Sequence, residues 1–186
     1  MPVTRLDPKT ALVVIDLQKG IVGLPTVHPI AGILANAGLL ATAFRRHGLP
    51  VVLVNVAGGA PGRTERMPAR HAMPPDWTEL APELDVQPAD HKITKLTWGA
   101  FANTDLDALL KELGVTQVVL TGVATSIGVE STAREAYALG FNVTIAVDAV
   151  TDLDAGAHEN SLARIFPRLG ETGPSAAILA LLDTAR

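Results

Sequence analysis

Three features of the chain predict a three-layer α/β/α fold on a mainly parallel sheet. Its apolar runs are continuous, as in strands buried on both faces, where an alternating pattern would mark a half-exposed sheet. Most runs are followed by a stretch with helical spacing, so strands and helices alternate as crossover connections require. The 186 residues are 48% hydrophobic and have a mean hydropathy of +0.29. These values suit an enclosed core in one domain spanning residues 1–186.

Ala11 to Asp16 (Ala-Leu-Val-Val-Ile-Asp) is the first such run, closed by a carboxylate where a strand stops at the edge of its sheet. From Pro29, apolar residues at Ile30, Ile33, Leu34, Ala37, Ala41 and Phe44 keep helical spacing. Arg45, Arg46, His47 and Gly48 end that helix as cations and a terminal glycine should. Pro50 to Val56 is a second strand. Periodicity then lapses from Ala57 to Ala81, a length that marks either a mobile loop or part of a site, and Gly58 to Arg70 is expected to form a flexible lid. Asp90 to Thr94 is a short strand, and Asn103 is expected to cap a helix whose face is Leu106, Leu109, Leu110 and Leu113.

Val115 to Leu120 is a further strand, broken at Thr121-Gly122 and followed by a helix expected to bury Val129, Ala133, Ala136 and Tyr137. Thr125 or Ser126 is its expected N-cap. Asn142 to Val147 reads as the next strand, with helical patterns near His158 to Leu169 and Ser175 to Leu182.

Composition narrows the chemistry. A formal net charge of -4 without a basic cluster argues against nucleic acid. The absence of cysteine excludes disulfides, thiolate zinc sites and a cysteine nucleophile. With no charged leader and no apolar stretch of bilayer length, the expected location is the cytoplasm, away from membranes. The histidines at 28, 47, 71, 91 and 158 show no paired ligand spacing, so no metal is expected. The Gly58 to Gly62 cluster lacks the Lys-Ser/Thr of a phosphate loop and the dinucleotide fingerprint, so no cofactor is expected.

In parallel sheets ligands bind outside the carboxyl ends of the strands, where strand order reverses. Asp16, the Lys95 loop and the turn from Gly122 to Gly128 should share that rim. Asp16 is either a site acid or a loop cap paired with a nearby cation, and Lys95 alone reads as a solvated lysine before Thr97-Trp98-Gly99-Ala100-Phe101. At roughly 4 Å and an effective dielectric near 20, the two would interact by about 4 kcal/mol, or about three pKa units in favour of the ionised carboxylate unless burial opposes it. Arg63, Arg66 and Arg70 either reach an anionic substrate through the lid or face water. Ser126, Ser131 and Thr125 supply hydroxyls without an adjacent base.

With Asp16 after the first strand, Lys95 before Trp98-Gly-Ala-Phe, and Gly-Val-Ala-Thr-Ser-Ile-Gly-Val-Glu-Ser-Thr-Ala-Arg over residues 122–134, the chain resembles the isochorismatase-like hydrolase superfamily. The likeness runs on through Val147-Asp148-Ala149 to Phe166-Pro167-Arg168-Leu169. It implies a six-stranded, Rossmann-like sheet, a cis peptide at Val123–Ala124, an oxyanion site of backbone amides near the helix start, and a homo-oligomer, dimer or tetramer. Most of that family are cysteine hydrolases with an Asp-Lys-Cys triad. Asp16 and Lys95 match its acid and lysine, and Gly128 stands at the position of the cysteine.

Trp98, Phe101, Val123, Ala124, Thr125 and Ile127 are the implied substrate contacts for a small, anionic molecule. The family's true isochorismatases also lack the cysteine and act on a vinyl ether, with the aspartic acid protonating the enolpyruvyl methylene. Two other readings stay open: a binding protein or inactive relative, and an amide hydrolase that activates water directly.

Overall fold

The computed structural model describes residues 2–65 and 73–184. Strands β1 (Thr10–Ile15), β2 (Val51–Val56), β3 (His91–Lys95), β4 (Gln117–Val123), β5 (Asn142–Thr151) and β6 (Glu171–Gly173) form one sheet. Their order is β3-β2-β1-β4-β5-β6, and every adjacent pair is parallel. The helices are α1 (Lys19–Val22), α2 (Ile30–Arg46), α3 (Leu106–Glu112), α4 (Glu130–Ala138), α5 (Ala155–Asn160), α6 (Phe166–Leu169) and α7 (Ser175–Thr184).

The unbroken apolar strands are buried on both faces because the pleat sends successive side chains to two separate cores. Leu12 and Val14 of β1 join the core capped by α2 and α7, while Ala11, Val13 and Ile15 join the one capped by α3, α4 and α6. The chain runs from β1 outward through β2 to β3, then returns to the other side of β1 as β4. The carboxyl ends of β1 and β4 therefore flank the crevice where strand order reverses.

Gly122 makes that crevice possible. It pairs with Ile15 across β1 and β4, its φ is +124°, and a side-chain carbon there would overlap the Ile15 carbonyl.

Several local expectations are corrected. Asn103 does not cap α3: it adopts a left-handed φ of +58°, Asp105 precedes the helix, and the Leu106 amide donates to Thr104 Oγ1 at 3.3 Å. Tyr137 is exposed although Val129, Ala133 and Ala136 are buried, because the packed stripe of α4 is narrower than the apolar spacing suggested. The fifth strand continues past Val147 to Thr151. Its register against β4 shifts between Leu120 and Gly122, and this irregularity accommodates the exposed Asp148. Asp148 Oδ1 in turn accepts from the Ser175 amide and hydroxyl, both at 2.7 Å, at the start of α7. The three-residue β6 has no apolar run to announce it, and only the family resemblance implied a sixth strand.

The far end of the stretch 57–81, beyond the expected lid, is pinned. Trp77 lies against Gly20, where a side chain would overlap the indole. Gln18, fully buried, donates from Nε2 to the carbonyls of Val56 at 3.0 Å and Trp77 at 2.9 Å. Its Oε1 accepts from the Val56 amide at 2.7 Å. Arg63 is exposed, and Arg66, Arg70 and His71 lie outside the described residues. Among the described residues no helix is long and apolar enough to cross a membrane.

Gly122→Ala should lower unfolding stability by about 3 kcal/mol or more, through backbone strain and overlap with Ile15. Gly32→Ala, on α2 with open space around it, should raise stability by up to about 1 kcal/mol. Urea unfolding of both variants checks the contrast; a neutral Gly122→Ala would refute the close-approach reading.

Candidate active site

Asp16 is the first residue beyond β1, held at a φ of +54°. That conformation is uncommon outside glycine and is tolerated by aspartate, and here it turns the carboxylate into the crevice. Lys95 is the last residue of β3, two strands away, and both side chains are buried. Lys95 Nζ meets Asp16 Oδ2 at 2.8 Å. It also donates to the carbonyls of Trp98 at 2.8 Å and Thr97 at 3.1 Å. An ammonium has three donors, so the geometry leaves Lys95 with none to spare.

The carboxylate is the incomplete partner. Asp16 Oδ1 is buried and has no hydrogen-bond partner among the described residues. Burial pushes the Asp16 carboxyl up to about 6, against the opposing charge and hydrogen bond of Lys95. The condition attached to the expected effect of Lys95 is thus met: burial opposes it, because taking the carboxylate out of water costs more than the lysine returns.

Gly128 completes the group. A side-chain carbon placed on it would stand 3.1 Å from Asp16 Oδ2, 3.0 Å from Ile15 Cγ2 and 3.5 Å from the Val123 carbonyl. It lies in a five-residue π-helical turn, Thr125–Val129, that leads into α4. The turn follows the cis Val123–Ala124 peptide. Its amides are partly committed: those of Ile127 and Val129 donate to the Ala124 carbonyl, each at 3.1 Å, and that of Ser126 donates to Asp152 Oδ2 at 2.6 Å. These three are therefore not free for an oxyanion.

The remaining candidates divide. Val123 and Ala124 are buried beside the crevice. Trp98 is 61% exposed and touches the site through its backbone carbonyl. Phe101 turns into the core, its ring 5.9 Å from that of Phe141. Ile127 packs against the opposite core. Thr125 is not an N-cap; its Oγ1 is hydrogen-bonded to His158 Nδ1 at 2.9 Å. Spacing gave no signal for His158 of α5, whose ring lies 4.8 Å from that of His28 at a tilt of 57°; burial lowers its pKa, with help from His28. These two histidines lie 130 residues apart in sequence, so only the fold pairs them. Among the described residues no cluster of three or more metal-ligating side chains occurs.

Comparison with known proteins gives the family of the chain. The family model described as "Isochorismatase domain" matches residues 10–177. The uncharacterized isochorismatase family protein YwoC of Bacillus subtilis is 44% identical over 171 residues, which are 88% of this chain and 89% of that protein. The ureidoacrylate amidohydrolase RutB of Pseudomonas syringae is 28% identical, over 78% of this chain and 72% of its own. An isochorismatase family protein from Burkholderia thailandensis has a solved structure that superposes with a TM-score of 0.92 at 44% identity, covering 96% of this chain and 98% of that one. A family match across nearly the whole sheet, with close relatives over most of both chains, establishes that this chain belongs to the isochorismatase family.

Proposed function

We propose that this chain hydrolyses a small anionic molecule without a covalent enzyme intermediate, with Asp16 as proton donor and acceptor and Lys95 holding it. Gly128 replaces the family's cysteine. The observation that carries this reading is the buried Asp16 carboxyl, one oxygen fastened to Lys95 and the other unpartnered beside a residue with no side chain.

A carboxyl with a pKa of about 6 is substantially protonated in mildly acidic solution, and such matching suits a general acid. For a vinyl ether of the isochorismate type, Asp16 gives its proton to the terminal methylene carbon. Water then adds to the oxocarbenium carbon, and Asp16 takes back a proton. The hemiketal collapses to pyruvate and the freed alcohol. Lys95, with its three donors engaged, keeps the carboxyl aimed, and recognition of the substrate's negative charge falls to other groups.

A second reading follows from the likeness to an amidohydrolase: Asp16 as general base for water attacking an amide. The two differ in the sign of their pH dependence. If Asp16 is an acid, kcat falls as pH rises through about 6; if it is a base, kcat rises there. Assaying purified protein against isochorismate, small vinyl ethers and amides across this range, beside Asp16→Asn, decides between them. We expect the falling limb, and at least about a hundredfold loss in Asp16→Asn. Unchanged turnover in that variant would sink both readings, and ligand binding without any turnover would mark a binding protein.

The raised pKa also has a stability signature. Because the folded state holds this proton more tightly than the unfolded chain, its contribution is full below the unfolded value near 4 and is lost as pH rises through about 6. The total is about 3 kcal/mol. Asp16→Asn cannot titrate, so its stability relative to the parent should improve by about 2 kcal/mol between pH ~4.5 and ~7.5. Urea midpoints at the two pH values test this, and a pH-independent difference would contradict it.

Gly128→Ala should cut kcat at least about tenfold by crowding Asp16 Oδ2. Its unfolding free energy should change by no more than about 1 kcal/mol, since the gain in helix propensity offsets the crowding. Retained activity would show that the space over Gly128 is not used.

A further inference from the structure

The carbonyls that hold Lys95 belong to Thr97 and Trp98, at the exposed end of a loop whose far end, Ala100 and Phe101, is buried in the core: Trp98 is largely exposed, and Gly99 has no side chain. Two polar residues of α4 hold the backbone of that far end. Thr132, fully buried, accepts the Ala100 amide at 3.1 Å and donates to the Gly128 carbonyl at 2.7 Å. One hydroxyl therefore joins the Lys95 loop to the turn carrying Gly128. One turn further on, Glu135 Oε2 accepts the Phe101 amide at 3.0 Å. Its carboxylate fills the space in which any side chain on Gly99 would stand.

Resting on the reading of Asp16 and Lys95 given above, we propose that Thr132 and Glu135 are positioning residues that lock the loop of residues 97–101 to the Gly128 turn. They thereby hold Lys95 against Asp16. The connection is short and continuous: Thr132 and Glu135 fix the amides of Ala100 and Phe101, and the carbonyls of Thr97 and Trp98 just before them hold Nζ, which holds Oδ2. Any side chain at position 99 would have to displace the carboxylate of Glu135, which approaches the backbone there. Thr132 also explains how the two halves of the crevice keep register although they come from opposite sides of β1. The loop follows β3, the turn follows β4, and α4 spans both.

The test reads Asp16 directly. Among the described residues Lys95 is the only charged group ion-paired with Asp16, so loosening the loop weakens the interaction that favours the ionised carboxylate. In ¹³C-carboxyl-labelled protein, Thr132→Val should move the Asp16 titration midpoint upward by at least about half a unit. Thr132→Ser, which keeps the hydroxyl, should restore it. Gly99→Ala, which displaces the carboxylate of Glu135 from the loop, should move it the same way, and decides the matter if Thr132→Val does not fold.

Folded Thr132→Val and Gly99→Ala proteins with lowered melting temperatures but an unmoved Asp16 midpoint would overturn the proposal, leaving a merely structural role. No substrate enters this measurement, so a failure to find hydrolysis would sink the functional reading and leave this one standing.

Discussion

The buried pair of Asp16 and Lys95 is the constraint around which this molecule is arranged. Two charges taken out of water are costly, and their attraction offsets that only when geometry and further hydrogen bonds are supplied. Here the supply is one-sided. The ammonium finds a carboxylate and two carbonyls, whereas the carboxylate keeps one oxygen without a partner. The residual penalty falls on the anion, which is why burial raises the Asp16 pKa in spite of a lysine at 2.8 Å.

The sheet provides what the pair needs. β1 and β3 run parallel with β2 between them, so their carboxyl ends emerge on the same rim. A left-handed turn at Asp16 and a lysine that ends β3 bring the two side chains together across the end of β2. Gly122 lets β4 come close to Ile15, and the turn that follows brings Gly128 near enough that a side-chain carbon there would stand 3.1 Å from the carboxylate. On this arrangement α4 is more than a cover for the core. Its buried face carries apolar Ala133 and Ala136 toward the sheet, while Thr132 and Glu135 reach backbone groups on the rim.

Beyond the pair, the crevice wall has its own polar structure. Asp152, buried at the end of β5, accepts the amides of Ser126 and Leu153 at 2.6 and 2.7 Å. Thr125 and Thr151 each engage a histidine ring. The start of the π turn is thus fixed from the β5 side as firmly as Gly128 is from the α4 side. Such double anchoring suits a turn whose backbone, with no side chain at Gly128, must present a defined surface.

The linear chain by itself determined the layers. Continuous apolar runs and helical spacing are local properties of residues, and burial on both faces follows from them whatever the neighbours are. It also put Asp16, the Lys95 loop and the turn from Gly122 to Gly128 on one rim, since the carboxyl ends of the strands of a parallel sheet lie together, while the family resemblance marked Gly128 within that turn.

What only the tertiary structure decided depends on distance and solvent. These outcomes are the burial that leaves Asp16 poised near 6, the saturation of Lys95 by Asp16 and two backbone carbonyls, the pairing of His28 with His158, and the contact of Thr132 and Glu135 with the Lys95 loop. Residue spacing carries no record of them, because they arise between segments remote in sequence and from the exclusion of water, which is a property of the folded chain.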